Sequence, residues 1–565
     1  MGKLDFEPKD LKRLAKRIEE ILRGQNPICP PAQPIEHKAR HFASLLRKQR
    51  LQSPPAQSQE AKPTWHTVDL DSLKSEDVRT VGAEIVAAWA YEKLHMSPIL
   101  KNCSFNDAEI NRAKVLIVGK LIHPASERET FQWFQQRSAL EEVMGIEPKH
   151  VSLSSLYRTA HRLIAEKEAI EPSLVERERE LFGLGEKIIL YDLTNTYFEG
   201  NPCAQEAQRG ASKEKRSDRP LVTLGMVLDE EGFPKTSKVY PGNVSEPSTL
   251  ESILDDLLLR HPRQLRLVKP TVVIDAGMAT EANLQRIRTK GLDYVCVDRR
   301  RIQEVPEGNP TVVHDGPLGV VKAIRSADTS EVFLFCESEG RYQKEKSIKN
   351  RFQRRFEQDL QKLADSLEKK GGIKKYEKVL ERIGRLKEKY SLVARFYEIR
   401  VEKKNGKAVG LSWELKDEHG LAQRFSGRYR LRSSRTDLSD TELWKLYNML
   451  TQVEGSFRSL KQELPLRPVY HRVSERIQGH LFVTVLAYHL LCVIQRALHG
   501  AGIHHHWTTL RTHLSGQVRV TTSMVNDKGQ VIHLRHTSEP EPIHLEIYKA
   551  LDVRPRPLKR LMTIE

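Results

Sequence analysis

Apolar residues recur at helical spacing through much of the first third of the chain. Leu11, Leu14, Ile18, Ile21 and Leu22 form one stripe, with Lys9, Lys12, Arg13, Lys16 and Arg17 covering the other side. This arm reads either as a solvated amphipathic segment or as a basic grip on a polyanion. A Pro-rich break (26–34) and a polar linker (53–63) follow it. From Ser72 to Ala169 the pattern stays helical, for example Val78, Val81, Ile85, Ala88 and Trp89, then Ala113, Leu116, Ile117 and Leu121. The spacing predicts an all-helical domain. Within it, Ser154 to Ile164 is a packing helix or one shaped to enter a groove.

The texture then changes to short apolar runs. Lys187–Leu193, Leu221–Leu228 and Lys235–Tyr240 read as strands, the last two joined by a hairpin at Asp229-Glu230-Glu231-Gly232. A helix over Glu246–Leu259, a strand at Thr271–Ile274, a helix over Ala279–Thr289 and a strand at Leu292–Val297 complete the series. This order predicts an α/β fold, a mixed sheet flanked by helices, and it resembles a ribonuclease H-like core. Residues 300–435 interrupt it as an α+β insertion. They hold strand-like pieces (Val320–Ile324, Val332–Cys336), a strongly basic helical stretch (Tyr342–Lys389) and two more strands about an Asn405-Gly406 turn. The basic stretch is a solvated helical hairpin or a nucleic-acid clamp. Ser439–Leu464 and Ser474–Leu498 are predicted helices, the second almost fully apolar on one face. The organisation expected is therefore a basic arm and linker (1–65), an all-α domain for end binding or assembly (66–182), a core in two pieces (183–299 and 436–500), the insertion (300–435) and a tail (501–565).

Composition narrows the partners. The 565 residues carry 92 Lys+Arg against 75 Asp+Glu, a net charge of +17, which favours a polyanion because basic surface gains affinity by releasing counterions. The hydrophobic share of 39% is that of a globular protein, which excludes collagen-like and wholly disordered classes. The longest apolar run, Leu481–Ile494, is too short to span a bilayer and is broken by polar residues, so no membrane association is expected. The opening MGKLDFEPKD has no signal-peptide core, which predicts a cytoplasmic protein. Six scattered cysteines without a CxxC pair argue against zinc ribbons and disulfides. No Walker or dinucleotide loop occurs, so no nucleotide cofactor is implied. His504-His505-His506 lacks companion ligands and reads as a polar loop, and helix capping or packing suffices for His471 and His480.

Candidate chemistry rests on three acids. Asp192 and Asp275 each stand at or beside the end of a predicted core strand, where strand ends share a crevice. The third sits in LWKLYNMLTQVEGSFRSLKQEL, where Tyr447, Glu454 and Lys461 recur every seven residues and so share one helix face. An acid beside an apolar stripe is costly unless paired or bound to a cation; intrahelical pairing with Arg458 or Lys461 is the plainer account of Glu454.

In combination these segments resemble the DD-E transposases of bacterial insertion sequences, in the branch marked by Tyr-x2-Arg-x3-Glu-x6-Lys. The resemblance is carried by YDLTNTYFEG around Asp192, VVIDAGMAT around Asp275 and the Tyr447–Lys461 helix. YPGNVSEPSTL, SDRPLV and RPVYHRVSERIQGH support it. Leu450 stands where the signature has arginine, which leaves that phosphate contact absent or supplied by Arg458. The resemblance implies a DNA transposase that cuts at its element's ends and transfers strands into target DNA. Asp192, Asp275 and Glu454 would hold two Mg²⁺ ions, with Mn²⁺ an accepted substitute, because hard cations take oxygen ligands. Tyr447, Lys461 and Arg458 would contact DNA, Thr194 and Asn195 would orient Asp192 or simply form a turn, and a homodimer would pair two terminal inverted repeats. A binding-only derivative and a two-metal nuclease without strand transfer are the alternatives.

Overall fold

The computed structural model describes residues 65–565 apart from 186, 200–202, 211–217, 261–268, 301–304, 328–329, 465 and 467–468. In the N-terminal arm it describes seven positions, among them Leu14, Arg17 and Ile35; the rest of that predicted stripe lies outside the described residues. Two compact units are present. The first comprises residues 1–74, 523–532 and 564–565, the second residues 75–522 and 533–563.

In the first unit, Leu14, Ile35 and Ala39 make a small buried cluster beside an Arg17–Glu36 ion pair. The expected helical start at Ser72 is corrected. Residues Val68–Thr80 form a strand, and its first half is held by distant partners. Asp527 N donates to Thr67 O at 3.2 Å, and Val525 N donates to Ser72 Oγ at 2.8 Å. Pairing with a strand distant in the chain, Val518–Asn526, overrides the local pattern.

The second unit is built on a nine-stranded mixed sheet. Its order is Pro234–Pro241, Leu221–Leu228, Ile188–Tyr197, Thr271–Ile274, Asp293–Val297, Arg428–Ser433, Val332–Ser338, Gly319–Ala327, Thr311–Gly316. The first five follow core order 3-2-1-4-5, with the first three antiparallel and the 1-4-5 pairings parallel. That is the ribonuclease H-like arrangement the element order anticipates. The hairpin forms as predicted, because Asp229 Oδ1 accepts from Glu231 N and Phe233 N while Gly232 takes φ 86°.

Two predicted boundaries dissolve into this frame. Four strands from the insertion continue the core sheet rather than forming a separate body, starting with Arg428–Ser433 against Asp293–Val297. Arg432 pins that junction through Glu331 (2.9 Å) and Glu281 (2.6 Å). The remaining insertion holds the long helices Glu339–Glu368 and Tyr376–Lys389, the short helices Ser391–Ala394 and Glu418–Arg424, and a hairpin turned at Asn405-Gly406, both at positive φ. The N-terminal helices likewise share one core with the sheet. Helix Ser474–Gly500 packs against Leu153–Ala165, Asp107–Ile122 and Gly82–Lys93. Leu153–Ala165, started by a Ser152 capping box, is thus a packing helix. The run Leu481–Ile494 lies inside this 27-residue helix, which is long and apolar enough to cross a membrane. Its most apolar window is 83% buried within the protein, as befits a core helix.

Candidate active site

Asp192 lies in the middle of its strand, not at the end, because the strand runs on to Tyr197. Thr194 and Asn195 are therefore strand residues paired with Leu224 and Thr223, which corrects their reading as a turn. The parallel register pairs Ile188 with Thr271, Ile189 with Val272 and Leu190 with Val273. Continued by two residues, it brings Asp192 level with Asp275, on strands about 4.8 Å apart where they pair. Side-chain alternation gives their face. Leu190 and Val273 enter one core while Ile189, Tyr191, Val272 and Ile274 enter another, so Asp192 and Asp275 both belong to the Leu190–Val273 side.

The third acid comes from that same side. The helix expected over Ser439–Leu464 divides at Met449 into Asp440–Asn448 and Leu450–Gln462. Thr451 Oγ1 donates to Asn448 O at 2.6 Å, occupying a carbonyl at the break. Tyr447 thus lies in the last turn of the first helix, and its two-turn alignment with Glu454 and Lys461 is interrupted. Its ring lies half-buried, 6.0 Å from that of Tyr429. Leu450–Gln462 packs against the Asp192 strand. It carries Glu454 and Lys461, whose side chains lie outside the described residues, and an exposed Arg458.

Short hydrogen bonds fix the two aspartates. Asp192 Oδ1 accepts from Leu193 N at 2.7 Å, and Asp275 Oδ1 accepts from Met278 N at 2.9 Å. A further carboxylate was missed in the sequence. Glu246, first residue of the helix Glu246–Arg260, brings Oε2 within 3.0 Å of where a side chain on Gly277 would begin. Both Asp275 oxygens lie 3.2 Å from that point. Gly277 therefore leaves a cradle between two carboxylates. The signal available was Glu246 within YPGNVSEPSTL, a segment quoted without a role. Beside Asp192 on its own face, Thr194 Oγ1 is buried with no hydrogen-bond partner. An all-oxygen donor set of carboxylates, a cradle free of side chain and an orphaned hydroxyl fit hard divalent cations.

The same unit holds a buried polar chain. Lys120 Nζ donates to His480 Nε2 at 3.1 Å, and His480 Nδ1 lies 2.9 Å from Glu127 Oε1. Glu127 Oε2 lies 2.6 Å from His471 Nε2. The tautomer satisfying both His480 contacts donates through Nδ1 to Glu127. Burial, with the Lys120 ammonium nearby, pushes His480 down to about 4. Burial also pulls Lys120 down to about 8, against the attraction of Glu127. Burial would raise the Glu127 carboxyl, but the two imidazoles outweigh it and hold it well below the carboxylate range. The Glu127, His471 and His480 ligand atoms lie within 4.8 Å of one another, yet a lysine ammonium already occupies one imidazole nitrogen. The group is a hydrogen-bonded relay of charge rather than a cation site. Capping and simple packing, expected for His471 and His480, are thus replaced by an ion pair mediated through neutral imidazole.

This chain meets the Asp192 strand through Leu466 and Val469, just before His471. Thr196 Oγ1 donates to Leu466 O, Val469 N donates to Tyr197 O, and Glu199 N donates to Val469 O, each at 3.0 Å. The end of the Asp192 strand and the exit of the Glu454 helix are therefore stitched together, and His471 sits at the stitch.

Comparison with known proteins gives the family. Residues 183–490, more than half the chain, match the transposase DDE domain family, and the chain belongs to that family. It is a DDE transposase, a metal-dependent enzyme of DNA cleavage and strand transfer. Among solved structures it is similar to a piggyBac transposase, seen in a cryo-EM structure of its synaptic complex with hairpin DNA. The identity is 10%, over 73% of this chain and 70% of that one, with a TM-score of 0.33. No curated protein matches.

Proposed function

We propose that Asp192, Asp275 and Glu454 hold two Mg²⁺ ions, with Mn²⁺ accepted in their place, and that Glu246 joins this carboxylate set. The enzyme would act as a homodimer in the bacterial cytoplasm, cutting at the element's terminal inverted repeats and joining the freed ends to target DNA. One observation carries the reading: two aspartates level on neighbouring parallel strands, on one face, beneath the helix that bears the third acid. Bound divalent cations would supply Lewis-acid activation of the attacking oxygen and stabilisation of the leaving one.

The chain's own groups do the rest. The Leu193 and Met278 amides each hold one oxygen of the two aspartates, which fixes the carboxylates' orientation in advance. Lys461 and Arg458 would hold phosphates next to the scissile bond, and Tyr447 would support the helix break from which they project. The surplus of 92 basic over 75 acidic residues draws the polyanion in.

The test is nicking of duplexes carrying the imperfect inverted repeats that flank the reading frame, with Mg²⁺, by the wild type and by Asp192→Ala. Loss of nicking in the variant, with joining of a supplied 3′-hydroxyl end to plasmid by the wild type, is the expected result. Equal nicking by both proteins removes Asp192 from the site. Nicking without joining favours a nuclease, and neither reaction favours a binding-only protein.

A further inference from the structure

The long insertion helix, Glu339–Glu368, has two unlike faces. Phe356, Leu360, Leu363 and Leu367 are buried on one side, the first two in a cluster with Tyr390, Val393 and Tyr397. On the other side, two adjacent i, i+4 ridges, 343-347-351-355 and 346-350-354-358, are polar at every position and exposed throughout. The shallow groove between them is lined by Lys346, Asn350, Arg351, Arg354 and Arg355.

The acids of this region are engaged elsewhere. Glu345 takes Arg341 (2.8 Å) and the amide of Gly427 (2.9 Å). Glu357 takes the Tyr397 hydroxyl, and Asp359 takes Lys389 and Tyr390. Arg341, Lys362, Arg385 and Lys389 of this helical pair are each salt-bridged to an acid, whereas Lys346, Arg351, Arg354 and Arg355 have no acidic partner among the described residues. A solvated helix normally intersperses its charges, so four uncompensated cations on one rigidly mounted face call for an external anion.

We infer that this face is a docking surface for the phosphate backbone of duplex DNA, contacted without regard to sequence. The inference rests on the transposase reading only for the identity of the polyanion. From Lys346 to Arg355 the face is about 14 Å long at 1.5 Å per residue. That spans about four phosphates of one strand at 3.4 Å each, one per cation. The groove's amide and hydroxyl side chains suit phosphate oxygens. No aromatic side chain lines the groove, so it lacks the stacking platform that single strands require.

The test measures the affinity of the full-length protein for an unrelated 30-base-pair duplex as salt is varied, for wild type and for K346Q/R351Q/R354Q/R355Q. A control, K362Q/R385Q/K389Q, removes ion-paired cations of the same helical pair. Four lost phosphate contacts reduce the slope of log K against log salt by about 3.6. Between 50 and 200 mM salt, the fall in affinity then becomes shallower by about a hundredfold. All substitutions are at exposed helix positions that glutamine fills well, and circular dichroism verifies the fold. An unchanged slope, or an equal change in the control, overturns the inference. Wild-type nicking dependent on Asp192 alongside an unchanged slope would sink the surface and spare the catalytic reading. A reduced slope in a wild type that never nicks would do the reverse.

Discussion

Glu127→Gln probes the buried relay directly, and its cost can be worked from the structure. In the wild type Lys120 ionises at about 8 rather than 10.5, so at pH 7 it is charged and already unfavourable to the fold. Removing the only carboxylate on the relay pushes it lower still, until neutral lysine becomes the better folded state. That escape route caps the lysine contribution to the loss at about 1.4 kcal/mol at pH 7, one pKa unit. The amide also weakens the contacts to His471 and His480, since it accepts only through one oxygen and turns an NH₂ towards a donor. Charge-assisted hydrogen bonds of this kind are worth about 1.5–3 kcal/mol. The expected loss is therefore about 3–4 kcal/mol at pH 7, within the range for breaking a buried ion pair.

The pH dependence has a definite sign. A lysine whose folded pKa is depressed makes the unfolded state bind more protons, so wild-type stability rises as pH climbs from about 8 towards 10.5. At pH 9 lysine is largely neutral in both proteins. The variant's deficit should then shrink to the hydrogen-bond part, about 1.5–3 kcal/mol. On the acid side, depressed His480 and depressed Glu127 act together. Stability falls as pH drops from 6.5 towards 4 and through the carboxylate range. Urea unfolding followed by tryptophan fluorescence at pH 7 and 9 measures the deficit, and hydrogen exchange in Asp107–Ile122 localises it. A deficit below about 1 kcal/mol, or one identical at the two pH values, would refute the relay as an ion pair.

Three further outcomes are expected. Gly277→Ala inserts a methyl 3.0 Å from Glu246 Oε2 and 3.2 Å from both Asp275 oxygens. It should raise the Mn²⁺ concentration for half-maximal metal binding about tenfold, read by electron paramagnetic resonance, an energy near 1.4 kcal/mol; unchanged binding separates Glu246 from the site. Asp229 is pushed up to about 6, mainly by burial, so the fold is penalised as pH rises from 3.8 through 6. Asp229→Asn should stabilise the protein by up to about 3 kcal/mol at pH 7 and by almost nothing at pH 4, as urea midpoints would report. Arg432→Ala strips Glu331 and Glu281 of their shared guanidinium. It should cost about 3 kcal/mol and raise hydrogen exchange first in Arg428–Ser433 and Val332–Ser338.

How much of this was legible in the chain depends on how far each determinant reaches. Thr271–Ile274 and Leu221–Leu228 were read to the residue, because a short apolar run with a turn or an acid at its end is a local signal. The pairing of Asp192 with Asp275 was anticipated for the same reason, although the strand under Asp192 runs four residues beyond the apolar run. Thr194 and Thr196 continue it with hydroxyls, which composition alone reads as turn. The break at Met449 escaped notice because nothing around it is a helix breaker. The sheet's extension was hidden differently. Two of its four strands were read from the sequence, at Val320–Ile324 and Val332–Cys336, whereas Thr311–Gly316 and Arg428–Ser433 were not, and the junction with the core is pinned by Arg432 meeting Glu331 and Glu281, 101 and 151 residues away.

The relay is the extreme of that trend, and it explains why the missing information gathers near the site. Lys120 continues an otherwise apolar helical stripe, Glu127 opens a helix, and His480 rides on a long apolar core helix; each has an ordinary local explanation. Only juxtaposition across 344 to 360 residues turns them into one charge system. A buried charge is tolerated only where its partners are held in place, so such a system demands rigid surroundings on every side. The surroundings here include the N-terminal helices and the stitch made at Leu466 and Val469. The same rigidity that the relay requires is what a site assembled from one strand end, a neighbouring strand and a separate helix needs in order to keep its carboxylates in register.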